Sequence, residues 1–116
     1  MIRVEPDKSV NLGKRPPKRE LAELEQIHLR TAKHDETYKV VLSYPLEVEA
    51  TFDLVLTPTT SLADLVLAVQ SAYQDIYRSQ SSREEFGVWG HERKDLWFES
   101  ADVDKGRRRI VVNVGS

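Results

Sequence analysis

The most constraining feature of the sequence is an apolar stripe between Ser61 and Tyr77. Its members recur at spacings typical of one face of an amphipathic α-helix: Leu62, Leu65, Val66, Val69, Tyr73 and Ile76. Ser61 stands at the N-cap position with Asp64 three residues later, which predicts a capping box with a carboxylate at the positive end of the helix dipole. Gln70 is predicted to lie away from the stripe. A helix with one apolar face needs a second layer, so the segment predicts a helix packed on a sheet.

Alternating apolar residues predict two strands on each side of this helix. The four strands are Thr37 to Tyr44, Leu46 to Leu56, Leu96 to Val103 and Arg107 to Val114. Asp104-Lys105-Gly106 predicts the turn of the second pair, with a positive φ at Gly106. Arg78 to Glu85 is polar without periodicity and is predicted to be a loop. The helical stripe should face the inward strand residues: Val40, Leu42, Phe52, Leu54, Phe98, Ile110 and Val112.

The first nineteen residues differ in character from the rest of the chain. Met1 to Arg19 carries six lysines and arginines against two acidic residues, with three prolines. This composition predicts a flexible basic arm at 1–19 and a single α+β domain at 20–116. Glu20 to Lys33 supports two interpretations, a short helix to about His28 or a strand in which Ile27, Leu29 and Thr31 alternate. The helix is preferred.

Composition excludes some functions but does not indicate a particular one. The net charge of −2 favours neither nucleic acid nor acidic lipid as a partner of the whole molecule, and the absence of cysteine excludes disulfides and thiolate metal sites. No two of His28, His34 and His91 share a ligand spacing such as i and i+4, and no serine lies in a Gly-x-Ser-x-Gly elbow. We therefore expect no metal, no cofactor and no catalytic residue. No apolar run approaches the ~18 residues of a membrane span. A cytoplasmic protein that does not bind membranes is expected.

The order of these elements resembles that of the ubiquitin-like β-grasp fold. The resemblance covers about Thr37 to Val114, where the strand Ala50 to Leu56 leads into Ser61-Leu62-Ala63-Asp64-Leu65, and Asp95-Leu96-Trp97-Phe98 leads through the turn into Arg109-Ile110-Val111-Val112. It implies a four-stranded mixed sheet with the helix Ser61 to Tyr77 across one face. It also implies a binding module rather than an enzyme. Conjugating members end in Gly-Gly, whereas this sequence ends in Gly115-Ser116, so conjugation is not expected.

Two groups of residues are candidate sites. Val88, Trp89 and His91 lie among glycines that allow sharp turns, and Trp97 should point away from the face shared by Leu96 and Phe98. These four residues predict a surface for a protein partner or a second copy of the chain, although Phe86, Val88 and Trp89 could instead close the end of the core.

The second group is Arg107, Arg108 and Arg109, a possible anion-binding cluster that could equally pair with Asp102, Asp104 or Glu99. With the basic arm, this cluster supports nucleic-acid binding as the alternative function. A small enzyme with a site near His91 is a third hypothesis.

Overall fold

The computed structural model describes residues 1–29 and 33–116, and this part of the chain forms six strands and three helices. The strands are β1 (Ile2–Val4), β2 (Val10–Asn11), β3 (Glu36–Leu42), β4 (Ala50–Leu56), β5 (Trp97–Asp104) and β6 (Arg109–Gly115). The helices are α1 (Lys18–Glu25), α2 (Leu62–Tyr77) and α3 (Gln80–Phe86), and Arg93–Asp95 forms a single 3-10 turn. No helix within the described ranges is long and apolar enough to cross a membrane.

Helix α2 has the start and the buried face that the sequence predicts. The Ser61 side chain accepts a hydrogen bond from the Asp64 backbone N–H, and the Asp64 carboxylate accepts one from the Ser61 backbone N–H at 2.9 Å, which completes the capping box. All six residues of the predicted stripe are buried. Gln70 is the exception to the pattern, because it is only 8% exposed although its position predicted a solvent-facing side chain.

The sheet is mixed, and its larger part consists of the four predicted strands, although β4 begins at Ala50 and not at Leu46 as predicted. They lie in the order β4-β3-β6-β5, with β3 and β6 parallel in the centre and both outer pairings antiparallel. Val40 and Ile110 are register partners on the two central strands, and both are fully buried with the apolar face of α2 in one core. Phe52 and Leu54 on β4 are only half-buried. The predicted α+β class with a mixed sheet is therefore confirmed.

The sheet in the described part of the chain is larger than the four strands predicted, because residues 1–19 add to it. Where composition predicted a flexible arm, β1 and β2 both pair antiparallel with β5, Ile2 opposite Val103 and Val10 opposite Phe98. Three apolar residues supply the physical reason, since Val4, Val10 and Leu12 are 8%, 1% and 0% exposed.

The preferred helix after this segment is present as α1, slightly earlier than predicted. It begins after Pro17, and Leu21 and Leu24 are buried against the core. His28, the predicted end, forms an isolated antiparallel bridge with Ser61. Thr31, on which the strand alternative partly depended, lies outside the described residues.

The loop predicted at Arg78 to Glu85 is wrong, since most of it belongs to α3. None of the residues of α3 is buried, so the helix has no apolar periodicity to detect. Its ends are instead fixed locally. Ser79 Oγ accepts a hydrogen bond from the Ser82 N–H at 3.1 Å, and Gly87 ends the helix in the left-handed conformation with φ of 67°.

The predicted conformation of the last turn is also wrong. The residue with positive φ is Arg108, at 51°, and not Gly106. Residues 105–108 form a longer loop in which the Asp104 side chain accepts a hydrogen bond from the Arg107 N–H at 3.2 Å. The Lys39 N–H donates to the Arg108 carbonyl at 2.9 Å, which holds the strained residue in place.

Candidate interaction surface

One face of the sheet, which we call the open face, points away from the core. Most residues that alternate with buried ones along the strands are exposed there, although Val41 in the centre is only 1% exposed. The exposed residues are Thr37, Lys39, Thr51, Asp53, Val55, Trp97 and Arg109. None of the described helices covers this set. The structure thus leaves a two-sided sheet with one side available for contacts.

Polar groups hold the central part of the open face in a fixed arrangement. The Arg3 guanidinium donates hydrogen bonds of 2.9 and 3.3 Å to the two Asp102 carboxylate oxygens, and Asn113 Nδ2 donates to the same carboxylate at 3.0 Å and to Ser100 Oγ at 2.9 Å. The hydrogen bond from Arg3, supported by that from Asn113, lowers the pKa of Asp102 below its usual range. Arg3, Ser100, Asp102 and Asn113 thus serve as hydrogen-bond partners for one another.

Trp97 lies at one end of the open face, as the alternation with Leu96 and Phe98 predicts. Its side chain is 42% exposed, while Leu96 and Phe98 are fully buried. Its register partners are Asn11 on β2 and Gly115 on β6. Trp97 lines two shallow grooves. One groove, of about 370 Å³, is lined by Lys14, Lys94 and Asn11, and the other, of about 300 Å³, by Ser9, Glu99 and the C-terminal residues.

Tyr44 is a further exposed aromatic residue, and it was not among the residues predicted for the site. It is 40% exposed, and its hydroxyl lies 2.6 Å from Ser116 Oγ, a residue that also lines a Trp97 groove. The His91 ring meets the Tyr44 ring edge to face, with centroids 5.4 Å apart. Tyr73 Oη donates a hydrogen bond to the Tyr44 carbonyl oxygen, and burial raises the pKa of Tyr73 far above its usual value. We call Tyr44, His91 and Trp97 the aromatic surface.

The remaining predicted residues of this group have different environments. Val88 is 6% exposed and belongs to the core, so it supports the neighbouring segment and does not form its outer surface. Trp89 is 59% exposed. Within the described residues no hydrogen bond or ring contact joins Trp89 to Trp97. The two indoles are therefore separate exposed groups.

The glycine between α3 and Val88 fixes how this segment leaves the helix. A Cβ atom at Gly87 would lie 2.6 Å from Glu47 Cβ, and the positive φ already favours glycine. The Phe86 carbonyl oxygen accepts hydrogen bonds from the Glu47 and Val48 N–H groups at 3.0 and 3.2 Å. The β3–β4 loop and the end of α3 are thus joined, which positions His91 beside Tyr44.

Arg107, Arg108 and Arg109 lie at the opposite end of β6 from Trp97. Arg107 and Arg108 are in the turn, so the strand alternation predicted for them does not apply. Arg107 Nε lies 4.0 Å from the Asp104 carboxylate, and Arg108 Nη2 lies 4.0 Å from that of Glu36. Asp102 pairs with Arg3 instead. Two of the three guanidiniums therefore already face carboxylates.

Comparisons with known proteins found no relative of this chain. No family model, curated protein or solved structure matches the chain. Within the described residues, no three histidine, aspartate or glutamate side chains come together as a metal site would require.

Proposed function

We propose that this protein is a small non-enzymatic interaction module of the ubiquitin-like type, which binds a protein partner or a second copy of itself through the aromatic surface. The observation that carries the proposal is the 42% exposed Trp97 on a sheet face that none of the described helices covers. Exposed aromatic side chains on a rigid strand lose little conformational entropy on binding and are enriched at the centres of protein interfaces. Tyr44 and His91 enlarge the same apolar and aromatic area.

The strand order supports the β-grasp part of the proposal. Two antiparallel pairs, β3–β4 and β5–β6, are separated in sequence by α2. The last strand, β6, lies parallel to β3 and beside it in the centre of the sheet. This is the arrangement expected of a β-grasp core. The strands β1 and β2 are an addition at the outer edge of β5. Because one fold serves many functions, the surface and not the topology must carry the functional argument.

A selection from a displayed peptide library tests the proposal even though the partner is unidentified. Peptides are selected on the wild-type protein and then titrated against Trp97→Thr and Trp89→Thr. We expect selected peptides to lose about tenfold or more in affinity with Trp97→Thr and to retain binding to Trp89→Thr, since truncating a central aromatic residue typically costs over 1.4 kcal/mol. Sedimentation at increasing concentration measures self-association in the same variants.

The reverse result would contradict the proposal. If selected peptides bind Trp97→Thr as tightly as wild type, and sedimentation shows no association that depends on Trp97, then the aromatic surface is not the binding site. Trp89→Thr is the matched control, because it removes an equally large exposed indole that no ring contact or hydrogen bond of the described residues joins to Trp97.

Nucleic-acid binding is the second candidate function. Lys14 and Lys94 line the groove beside Trp97, a combination of cations and a stacking ring that suits single strands. The Arg107 to Arg109 cluster is separated from this groove by the length of β6, roughly 20 Å at ~3.3 Å per residue. A steep loss of oligonucleotide affinity with salt would favour this candidate over the protein partner.

A further inference from the structure

A separate groove lies beside α2, next to the turn that carries Arg93. It has a volume of about 360 Å³. Three parts of the chain meet there: the segment after β2, the middle of α2 and the 3-10 turn. The lining residues are Lys14, Arg15, Leu67, Gln70, Ser71, Gln74 and Arg93.

The charged side chains that line this groove are all positive. It contains three cationic side chains, two amides and one hydroxyl, and none of the described lining residues is a carboxylate. The groove therefore offers many hydrogen-bond donors and a positive charge that no lining acid neutralises. The Arg107 to Arg109 cluster differs, since carboxylates lie near two of its guanidiniums.

Two of the lining residues are held in place by the fold. Arg93 Nη1 donates a hydrogen bond of 3.0 Å to the Leu12 carbonyl oxygen, which orients the guanidinium and leaves its other N–H groups for a ligand. Leu12 is itself fully buried, so this anchor is rigid. Pro16 is buried as well and restrains the segment that carries Lys14 and Arg15.

Besides the cationic lining, Gln70 is a second, independent indication that the groove binds a ligand. It is a polar residue only 8% exposed on a helix face that otherwise packs in the core, and it lines this groove. Its amide takes part in none of the side-chain hydrogen bonds found in the described part of the chain. The buried side-chain atoms without a partner in the described residues are the hydroxyls of Tyr38 and Tyr77, so the Gln70 amide is not sealed in the core. The amide is instead open to the groove, where it can donate a hydrogen bond to a ligand oxygen.

We propose that this groove is a binding site for a phosphate group. Arg15 and Arg93 provide planar guanidiniums suited to phosphate oxygens, Lys14 provides a point charge, and the Gln70 amide donates one further hydrogen bond. The phosphate belongs either to a free small molecule or to a nucleic-acid strand. The site is distinct from the aromatic surface, although Lys14 also lines the groove beside Trp97.

Titration calorimetry at fixed low salt tests the proposal with two probes, inorganic pyrophosphate and a short oligothymidylate. Wild type is compared with Arg15→Gln and Gln70→Leu, and Arg107→Gln is the matched control because it removes the same charge from an exposed position elsewhere. We expect wild type to bind at least one probe, Arg15→Gln to lose about tenfold in affinity, Gln70→Leu to lose several-fold, and Arg107→Gln to remain within twofold of wild type. Circular dichroism checks that each variant is folded.

The pattern across probes identifies the source of the phosphate. Pyrophosphate binding that depends on Arg15 indicates a small phosphorylated ligand, and binding of oligothymidylate alone with the same dependence indicates a nucleic-acid strand. Absence of binding to both probes overturns the proposal. It is also overturned if Arg107→Gln weakens binding as much as Arg15→Gln, because that result would show general attraction to surface charge. Arg15 is exposed, so its substitution keeps the test valid even if Gln70→Leu is unstable.

Discussion

Substitution of Leu12 by alanine should destabilise the protein strongly, although the composition of residues 1–19 predicted a dispensable arm. Leu12 is 0% exposed, and its N–H donates a hydrogen bond of 2.8 Å to the Leu96 carbonyl oxygen. Truncation of a fully buried leucine leaves a cavity and costs about 2–5 kcal/mol. That loss is a large part of the ~5–15 kcal/mol that stabilises a typical domain.

Urea unfolding followed by circular dichroism measures this loss. With a typical m-value of about 1–3 kcal/mol/M, a loss of ~3 kcal/mol moves the unfolding midpoint by about 1–3 M. Ile2→Ala is the control in the same segment, because Ile2 is 47% exposed and its truncation should cost less than about 1 kcal/mol. A loss below about 0.5 kcal/mol for Leu12→Ala would show that the segment is not docked, and deletion of residues 1–12 should then leave the remaining fold intact.

Three further predictions concern the local features described above. Ser61→Ala should cost about 1 kcal/mol in urea unfolding through loss of the α2 cap, and an unchanged midpoint would contradict the capping box. Arg108→Gly should raise the free energy of unfolding by up to about 1 kcal/mol because glycine adopts a φ of 51° without strain, whereas a loss of more than that would assign Arg108 a stabilising contact. The lowered pKa of Asp102 stabilises the fold above the ordinary aspartate pKa of ~3.9, and this stabilisation is lost as the pH falls through the lower value of the folded state. Arg3→Gln should therefore reduce the acid-dependent part of the stability loss, and an NMR titration that gives Asp102 an ordinary pKa in wild type would refute the assignment.

Local patterns predicted α2 and the strands β3 to β6 because the apolar residues of each element recur with the period of a helix or a strand. The α2 stripe and the Ser61–Asp64 cap are local signals, and the alternation of Leu96, Trp97 and Phe98 gave the exposed direction of Trp97. The same logic failed for β1 and β2. Their pairing with β5 joins residues about a hundred positions apart, Ile2 with Val103, and the sequence around Val4, Val10 and Leu12 is dominated by charges and prolines.

Helix α3 shows a different reason for failure. It buries none of its residues, so periodicity could not reveal it, but Ser79 at the start and Gly87 at the end are cap residues that could have done so. Gln70 was assigned to the exposed side because it was placed away from the apolar stripe of α2. The groove that it lines depends on residues from three distant segments, so only the folded structure brings Lys14, Gln70 and Arg93 together.

The most direct test of the proposed interaction surface is the accessibility of the Trp97 indole. Trp89→Phe leaves Trp97 as the single tryptophan, so its fluorescence can be quenched with acrylamide in dilute protein and again with a bound selected peptide or at high protein concentration. We predict emission at long wavelength with efficient quenching in the dilute protein, and a blue shift with protection once the surface is covered. A protected, blue-shifted indole in the dilute monomer, or quenching that binding leaves unchanged, would contradict the account.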